Sequence, residues 1–231
     1  MNKYKWILFD ADHTLFDFDK ASEEALAEVL QEHGIEWSEG MYDDYKKINI
    51  QCWSEHERGL INRDTLVYER FRRYFDFRQI DLDPVSTQKK YLRGLGRRPY
   101  LMPGAEDMMD WLKGRIKIGY ITNGMTEVQR ARLQMISWDL KFDVIVIAGE
   151  IGHSKPHREY FLHVDQEIGR PFGIEVLVVG DSLTADIEGA ASFGYHTCWY
   201  NPNDELCHLE KGPDHMITHL DEIKGLLGGG N

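Results

Sequence analysis

From Ala105 onward, short runs that read as strands alternate with amphipathic stretches of helical period, and this alternation restricts the fold more than any other feature of the 231 residues. The runs fall at 116–121, 143–147, 176–179, 196–200 and 215–217. Helices are expected at 105–113, 127–135, 156–168, 184–193 and 220–227. Strands joined by helices pair in parallel through right-handed crossovers, so the expected class is α/β with a doubly wound parallel sheet and a Rossmann-like core. One further run, Trp6-Ile7-Leu8-Phe9, is unbroken in its apolar character, as suits a strand buried on both faces of such a sheet. It ends in Asp10-Ala11-Asp12-His13-Thr14. Ligands of open α/β sheets bind at the carboxyl ends of strands beside a topological switch point, which is where Asp10 then stands.

Between Phe16 and Pro99 the alternation is interrupted once, by a block with no convincing strand. A helix capped at or near Asp19 runs to Gly34, and others are expected near 38–58, 63–75 and 84–95. Gly94-Leu95-Gly96-Arg97-Arg98-Pro99 reads as a linker, because two glycines and a proline punctuate it. The expected division is a catalytic core of residues 1–16 and 99–231, with an inserted α-helical cap of residues 17–98 beside the crevice. Gly228-Gly229-Gly230 is expected to fray.

The 27 basic and 39 acidic residues leave a formal charge of −12, which disfavours nucleic acid and anionic membranes as partners. A small anionic substrate remains compatible if a cation is recruited locally. Cys52, Cys198 and Cys207 are odd in number, scattered and outside any CxxC pair, which fits reduced thiols and disfavours zinc. No leader pattern precedes Asp10, and no run nears the roughly 20 apolar residues that span a bilayer. The expectation is a soluble, cytoplasmic protein.

If the first strand persists, the carboxylates of Asp10 and Asp12 point the same way. They then offer a hard cation oxygen ligands, and a substrate both a nucleophile and an acid/base. An Asp-rich turn explains the same pair structurally. Thr122-Asn123-Gly124 follows the second strand, and its hydroxyl and amides suit phosphate oxygens, although a Thr there also serves as a helix cap. The loop after the third strand carries Ser154-Lys155-Pro156. Pro156 fits the first turn of the next helix, which leaves Lys155 as a loop cation able to neutralise developing charge; a lone Lys is ordinarily solvated. After the fourth strand, Gly180-Asp181 and Asp186 put two more carboxylates at the same lip, although Asp181 alone reads as a cap. Four converging acids repel one another unless a divalent cation and a lysine intervene.

Taken in order, Asp10-Ala11-Asp12-His13-Thr14, Thr122, Lys155-Pro156, and Gly180-Asp181 with Asp186 resemble the four motifs of the haloacid-dehalogenase-like hydrolase superfamily. The resemblance covers essentially the whole chain, and the inserted helices look like that family's small cap. Within the superfamily the chain is similar to the house-cleaning 5′-nucleotidases of pyrimidine nucleoside monophosphates. That narrower likeness rests on Asp10-Ala11-Asp12, Ile121-Thr122-Asn123-Gly124, the stretch around Asn49 and Trp53 followed by Gly59, and Thr197-Cys198-Trp199-Tyr200-Asn201. His13 departs from the Gly or Glu that related enzymes often carry.

The resemblance implies a Mg²⁺-dependent phosphomonoester hydrolase acting on a small phosphorylated substrate. Asp10 would be the nucleophile that forms an aspartyl phosphate, and Asp12 the acid/base. The Asp10 carboxylate, the Asp12 backbone carbonyl and Asp181 would hold Mg²⁺. Thr122 and the Asn123 amide would hold phosphate oxygens, Lys155 would screen their charge, and Asp186 would support the metal shell or orient Lys155. Substrate choice would fall to the cap, where Trp53 either stacks on a base or packs the helices. Alternatives are a phosphatase of another small metabolite, a sugar phosphomutase, a metal-free dehalogenase, which has no need of Asp12, and an inactive binding module, which would most simply have lost Asp10, Asp12 or Lys155.

Overall fold

Every side chain of β1 (Trp6–Phe9) is buried, because both faces of the sheet are covered and the strand is central in it, pairing in parallel with β2 (Lys117–Thr122) and with β4 (Val176–Gly180). In the computed structural model, which describes residues 3–228, β3 (Val144–Ile147) extends the sheet beyond β2. On the other side β5 (His196–Tyr200) and β6 (His215–Ile217) extend it beyond β4. The order β3-β2-β1-β4-β5-β6 is parallel throughout, with its switch point between β1 and β4. Side chains alternate with period two. Ile7, Phe9, Leu177 and Val179 face one layer, and Trp6, Leu8, Val176 and Val178 the other.

Contacts divide the chain into two units, Asp19–Arg98 and the segments on either side of it. The inserted unit is helical, with α1 (Phe18–Glu32) starting one residue before it, then α2 (Met41–Glu57), α3 (Arg63–Arg78) and α4 (Pro84–Gly96). Asn62 caps α3 by accepting from the Thr65 amide, and Asp83 caps α4 by accepting from Ser86, each at 2.8 Å. Tyr45, Phe71, Tyr74 and Tyr91 form its buried aromatic centre.

Two expectations are corrected in this unit. Asp19 lies inside the first turn of α1 rather than at its cap, and its carboxylate accepts from Tyr42 and Lys46. Gly94 and Gly96 belong to the end of α4 and not to a linker. A Cβ at Gly94 would lie 3.2 Å from the Ala25 Cβ, so this glycine serves close packing of α4 on α1.

The other unit carries helices on both faces of the sheet. Met108, Met109 and Leu112 of α5 (Ala105–Leu112) and Leu133 of α6 (Thr126–Met135) cover one face. A short α7 (Ala148–Ile151), not anticipated from the sequence, precedes α8 (Arg158–Glu167). Tyr160, Phe161 and Val164 of α8 cover the opposite face with Ala190 of α9 (Gly189–Phe193), and α10 (Ile223–Leu226) closes the first face through Ile223. The stretch expected as one helix from Thr184 is π-helical over Leu183–Glu188 before α9 begins. Pro156 lies outside α8, in a turn joined to Lys155 by a cis peptide bond. Gly229 and Gly230, from the run expected to fray, lie outside the described residues. Among those described, no helix is long and apolar enough to cross a membrane.

Candidate active site

Asp10 leaves β1 and Asp181 leaves β4, its neighbour across the switch point, while Thr122 ends β2. The Asp10 amide still pairs with the Val179 carbonyl, but the chain then bends, and the Leu15 and Phe16 amides both return to the Ala11 carbonyl. His13 occupies the left-handed region at φ 66°, at a backbone cost of about 1–2 kcal/mol for a residue with a Cβ. The strand therefore does not persist through Asp12. The two carboxylates accordingly meet different partners, Asp10 the Lys155 ammonium and Asp12 the side chains of Arg132 and Gln129.

Asp10 meets Lys155. Its ammonium is buried and donates to Asp10 Oδ1 and Asp186 Oδ1 at 2.6 Å each, and to the Ile121 carbonyl at 3.1 Å. Asn123 holds the Lys155 loop in place: its side chain donates to the Lys155 carbonyl and accepts from the Lys155 amide, both at 2.8 Å. Asp186 sits in the π-helical turn, and its second oxygen accepts from the Ser182 amide at 3.1 Å. Such turns are rare and occur frequently at functional sites. A Cβ at Gly180 would fall 2.3 Å from the Asp186 carboxyl carbon, so the end of β4 has to be glycine for this carboxylate to come so close. Asp181 accepts from the Thr14 hydroxyl at 3.4 Å, and its carbonyl from the Trp199 indole at 2.8 Å. Thr122 is buried and accepts from the Gly124 amide at 2.9 Å.

Asp10, Asp181 and Asp186 each offer a carboxylate oxygen within 4.8 Å of the others. Burial raises the Asp10 pKa well above the usual carboxylate range; Lys155 pulls it down, while Asp186 and Asp181 push it up. Asp181 is pushed up to about 8, first by burial and then by Asp186. For Lys155, burial disfavours the charged form, but Asp10 and Asp186 outweigh it and the net shift is upward. With all three carboxyls ionised, one ammonium leaves an excess of negative charge, which adds to the upward shifts of Asp10 and Asp181, and the donors are all hard oxygens. This is the donor set that a divalent cation of the Mg²⁺ type prefers.

Asp12 does not join that group of mutually close oxygens, although its charge still acts on Asp181. Its Oδ1 accepts from Arg132 Nη1 at 2.6 Å and its Oδ2 from Gln129 Nε2 at 2.8 Å. Neither donor was singled out in the sequence; the available signal was a pair of polar residues three apart on the helix after Thr122-Asn123-Gly124. In the inserted unit, Asn49 is buried and accepts from Arg70 at 3.0 Å, and half-buried Trp53 packs edge-on to His56.

The sequence profile of the haloacid dehalogenase-like hydrolases matches residues 4–194. The pyrimidine 5′-nucleotidase YjjG of Escherichia coli is 30% identical over 225 residues, which cover 97% of this chain and 98% of that protein. The pyrimidine 5′-nucleotidase PynA of Streptococcus pneumoniae is 33% identical over 225 residues, covering 97% and 95%. The crystal structure of the HAD-hydrolase YfnB of Bacillus subtilis bound to magnesium is similar at a TM-score of 0.92 and 32% identity, covering 97% of this chain and 99% of that one. With a family match over most of its length and relatives of this identity along nearly all of it, the chain belongs to the haloacid dehalogenase-like hydrolases.

Proposed function

We propose that the protein is a Mg²⁺-dependent phosphomonoester hydrolase that works through an aspartyl phosphate on Asp10, and that its substrate is a pyrimidine nucleoside 5′-monophosphate. The observation that carries the reaction is the Lys155 ammonium held between Asp10 and Asp186 beside Asp181, at the carboxyl ends of β1 and β4. The substrate class is supported by the similarity to YjjG and PynA.

Lys155 engages Asp10 Oδ1, which leaves Oδ2 to attack phosphorus. The bond from phosphorus to the ester oxygen breaks with its electron pair on that oxygen, and protonated Asp12 supplies the proton that makes it an alcohol. Water then attacks the phosphorus of the aspartyl phosphate while the Asp12 carboxylate takes its proton. The bond from phosphorus to Asp10 breaks, releasing inorganic phosphate and restoring both acids to their starting states. The Thr122 hydroxyl and the Asn123 backbone amide bind the non-bridging oxygens, and Lys155 offsets their charge. Asp10, Asp181 and the Asp12 backbone carbonyl would hold Mg²⁺, which when bound supplies further neutralisation of the phosphoryl oxygens. Asp186, through its 2.6 Å contact, orients Lys155. A dehalogenase has no use for a second acid, and Asp12 held by two buried donors weighs against that alternative.

The test is phosphate release from a panel of nucleoside monophosphates and sugar phosphates, with Mg²⁺ and with excess EDTA. The expected result is turnover only with the metal and highest kcat/KM on pyrimidine monophosphates. Preference for a sugar phosphate would overturn the substrate assignment, and undiminished turnover in EDTA would overturn the metal assignment.

A further inference from the structure

Asp12 lies beyond the end of β1, on a loop whose backbone does not by itself fix a carboxylate. Both of its oxygens are met instead by donors three residues apart on α6, which share one side of that helix. Each donor is held in turn. The Gln129 carbonyl oxygen accepts from the hydroxyl of fully buried Tyr120, which orients the amide with its nitrogen toward Asp12. The guanidinium of fully buried Arg132 lies over the Phe16 ring at 5.4 Å and the Phe18 ring at 6.0 Å. Room for the Gln129 amide comes from Gly124, where a Cβ would lie 2.1 Å from Nε2. A buried guanidinium is tolerated where it is paired, and here its carboxylate partner is the proposed acid/base.

We propose that Gln129 and Arg132, with Tyr120 behind them, are positioning residues that aim Asp12 first at the leaving-group oxygen and then at the hydrolytic water. The inference rests on the phosphatase reading of the site. In a reaction that needs a proton delivered to a poor leaving group, an error of about 1 Å in the acid can cost on the order of 10²-fold. A leaving group that departs as a stable anion does not need that proton.

The experiment compares the full-length parent with Arg132→Gln, Arg132→Lys and Gln129→Leu, all with saturating Mg²⁺, on uridine 5′-monophosphate and on 4-nitrophenyl phosphate. Rapid mixing separates the nitrophenolate burst from later turnover. For Arg132→Gln and Gln129→Leu, kcat on the nucleotide is expected to fall about 10- to 100-fold with KM within about 3-fold, while the burst rate stays within about 2-fold. Arg132→Lys should recover part of the loss, and the affinity for inorganic phosphate by calorimetry should match the parent in every variant. An equal loss on the nucleotide and in the burst, or an undiminished kcat on the nucleotide, would overturn the proposal. If Arg132→Gln does not fold, Gln129→Leu, which removes no charge, carries the same comparison. A parent that hydrolyses neither ester refutes the phosphatase reading; an active parent whose variants lose both alike refutes only the positioning role.

Discussion

Replacing Lys155 by Met keeps an unbranched apolar stem and removes the ammonium that lies 2.6 Å from both Asp10 and Asp186. The residue is 1% exposed, so water does not replace what is lost. Removing one partner of a buried ion pair costs about 3–5 kcal/mol, because the remaining charge stays buried without compensation. For a chain of this size about 1 kcal/mol corresponds to about 2–4 °C, so the unfolding midpoint should fall by roughly 6–20 °C. The deficit also has a sign in pH. Burial already raises the Asp10 pKa, and Lys155 is the group that opposes the rise, so without it the carboxyl titrates higher still. The unfolded carboxyl titrates near about 3.9. The native state therefore binds the proton more tightly, and stability falls as pH rises from that value through the native one. The deficit of Lys155→Met should be smallest at acid pH, where the Asp10 carboxyl is protonated in both native proteins, and grow as pH rises toward the alkaline side. Thermal unfolding of metal-free parent and variant, followed by circular dichroism in EDTA across that range, measures it. A deficit that is flat or shrinking with pH, or a total loss under about 1 kcal/mol, would refute the reasoning.

Asp12→Asn should bind inorganic phosphate and Mg²⁺ as the parent does by calorimetry, yet lose about 10²- to 10⁴-fold in turnover of a nucleotide, with a smaller loss in the burst on an activated aryl phosphate. Gly180→Ala brings a Cβ to 2.3 Å from the Asp186 carboxyl carbon. It should cost about 1–3 kcal/mol in urea unfolding and lower kcat, and a neutral variant would contradict the close-approach argument. Excess EDTA should abolish phosphate release, Mg²⁺ should restore it, and Ca²⁺ should restore little, because Ca²⁺ takes more ligands at longer distances. Comparable rates with both ions would argue against a site that demands short octahedral bonds.

The strand pattern of the sheet and the single helical interruption were legible because both follow from local periodicity: Trp6–Phe9 is apolar throughout, and nothing from Asp19 to Arg98 alternates with period two. The places of Asp10, Thr122 and Asp181 at strand ends were legible for the same reason, whereas Lys155 lies farther on, beyond β3 and the short α7. The direction of the Asp12 side chain was not legible, because it depends on where β1 stops and on the partners that distant parts of the chain bring to it. Gln129 and Arg132 were missed because their partner lies 117 and 120 residues away, beyond any spacing rule. Gly94 and Gly96 misled because a glycine that admits a neighbouring helix and one that breaks a helix are the same residue. The choice left open for Asp186 turned on one π-helical turn, which periodicity does not encode; there the side chain accepts from Lys155 and also offers an oxygen beside Asp10 and Asp181.

Whether Asp10 carries the phosphoryl group can be read from the protein itself. The parent, mixed with substrate and Mg²⁺ and quenched in acid during turnover, is treated with hydroxylamine, digested and mapped by mass spectrometry beside Asp10→Asn. Conversion of Asp10 to its hydroxamate in the parent, with no modified acid and no turnover in Asp10→Asn, is the expected result. Modification at another acid, or an Asp10→Asn variant that keeps more than a trace of activity, would contradict the assignment of Asp10 as nucleophile.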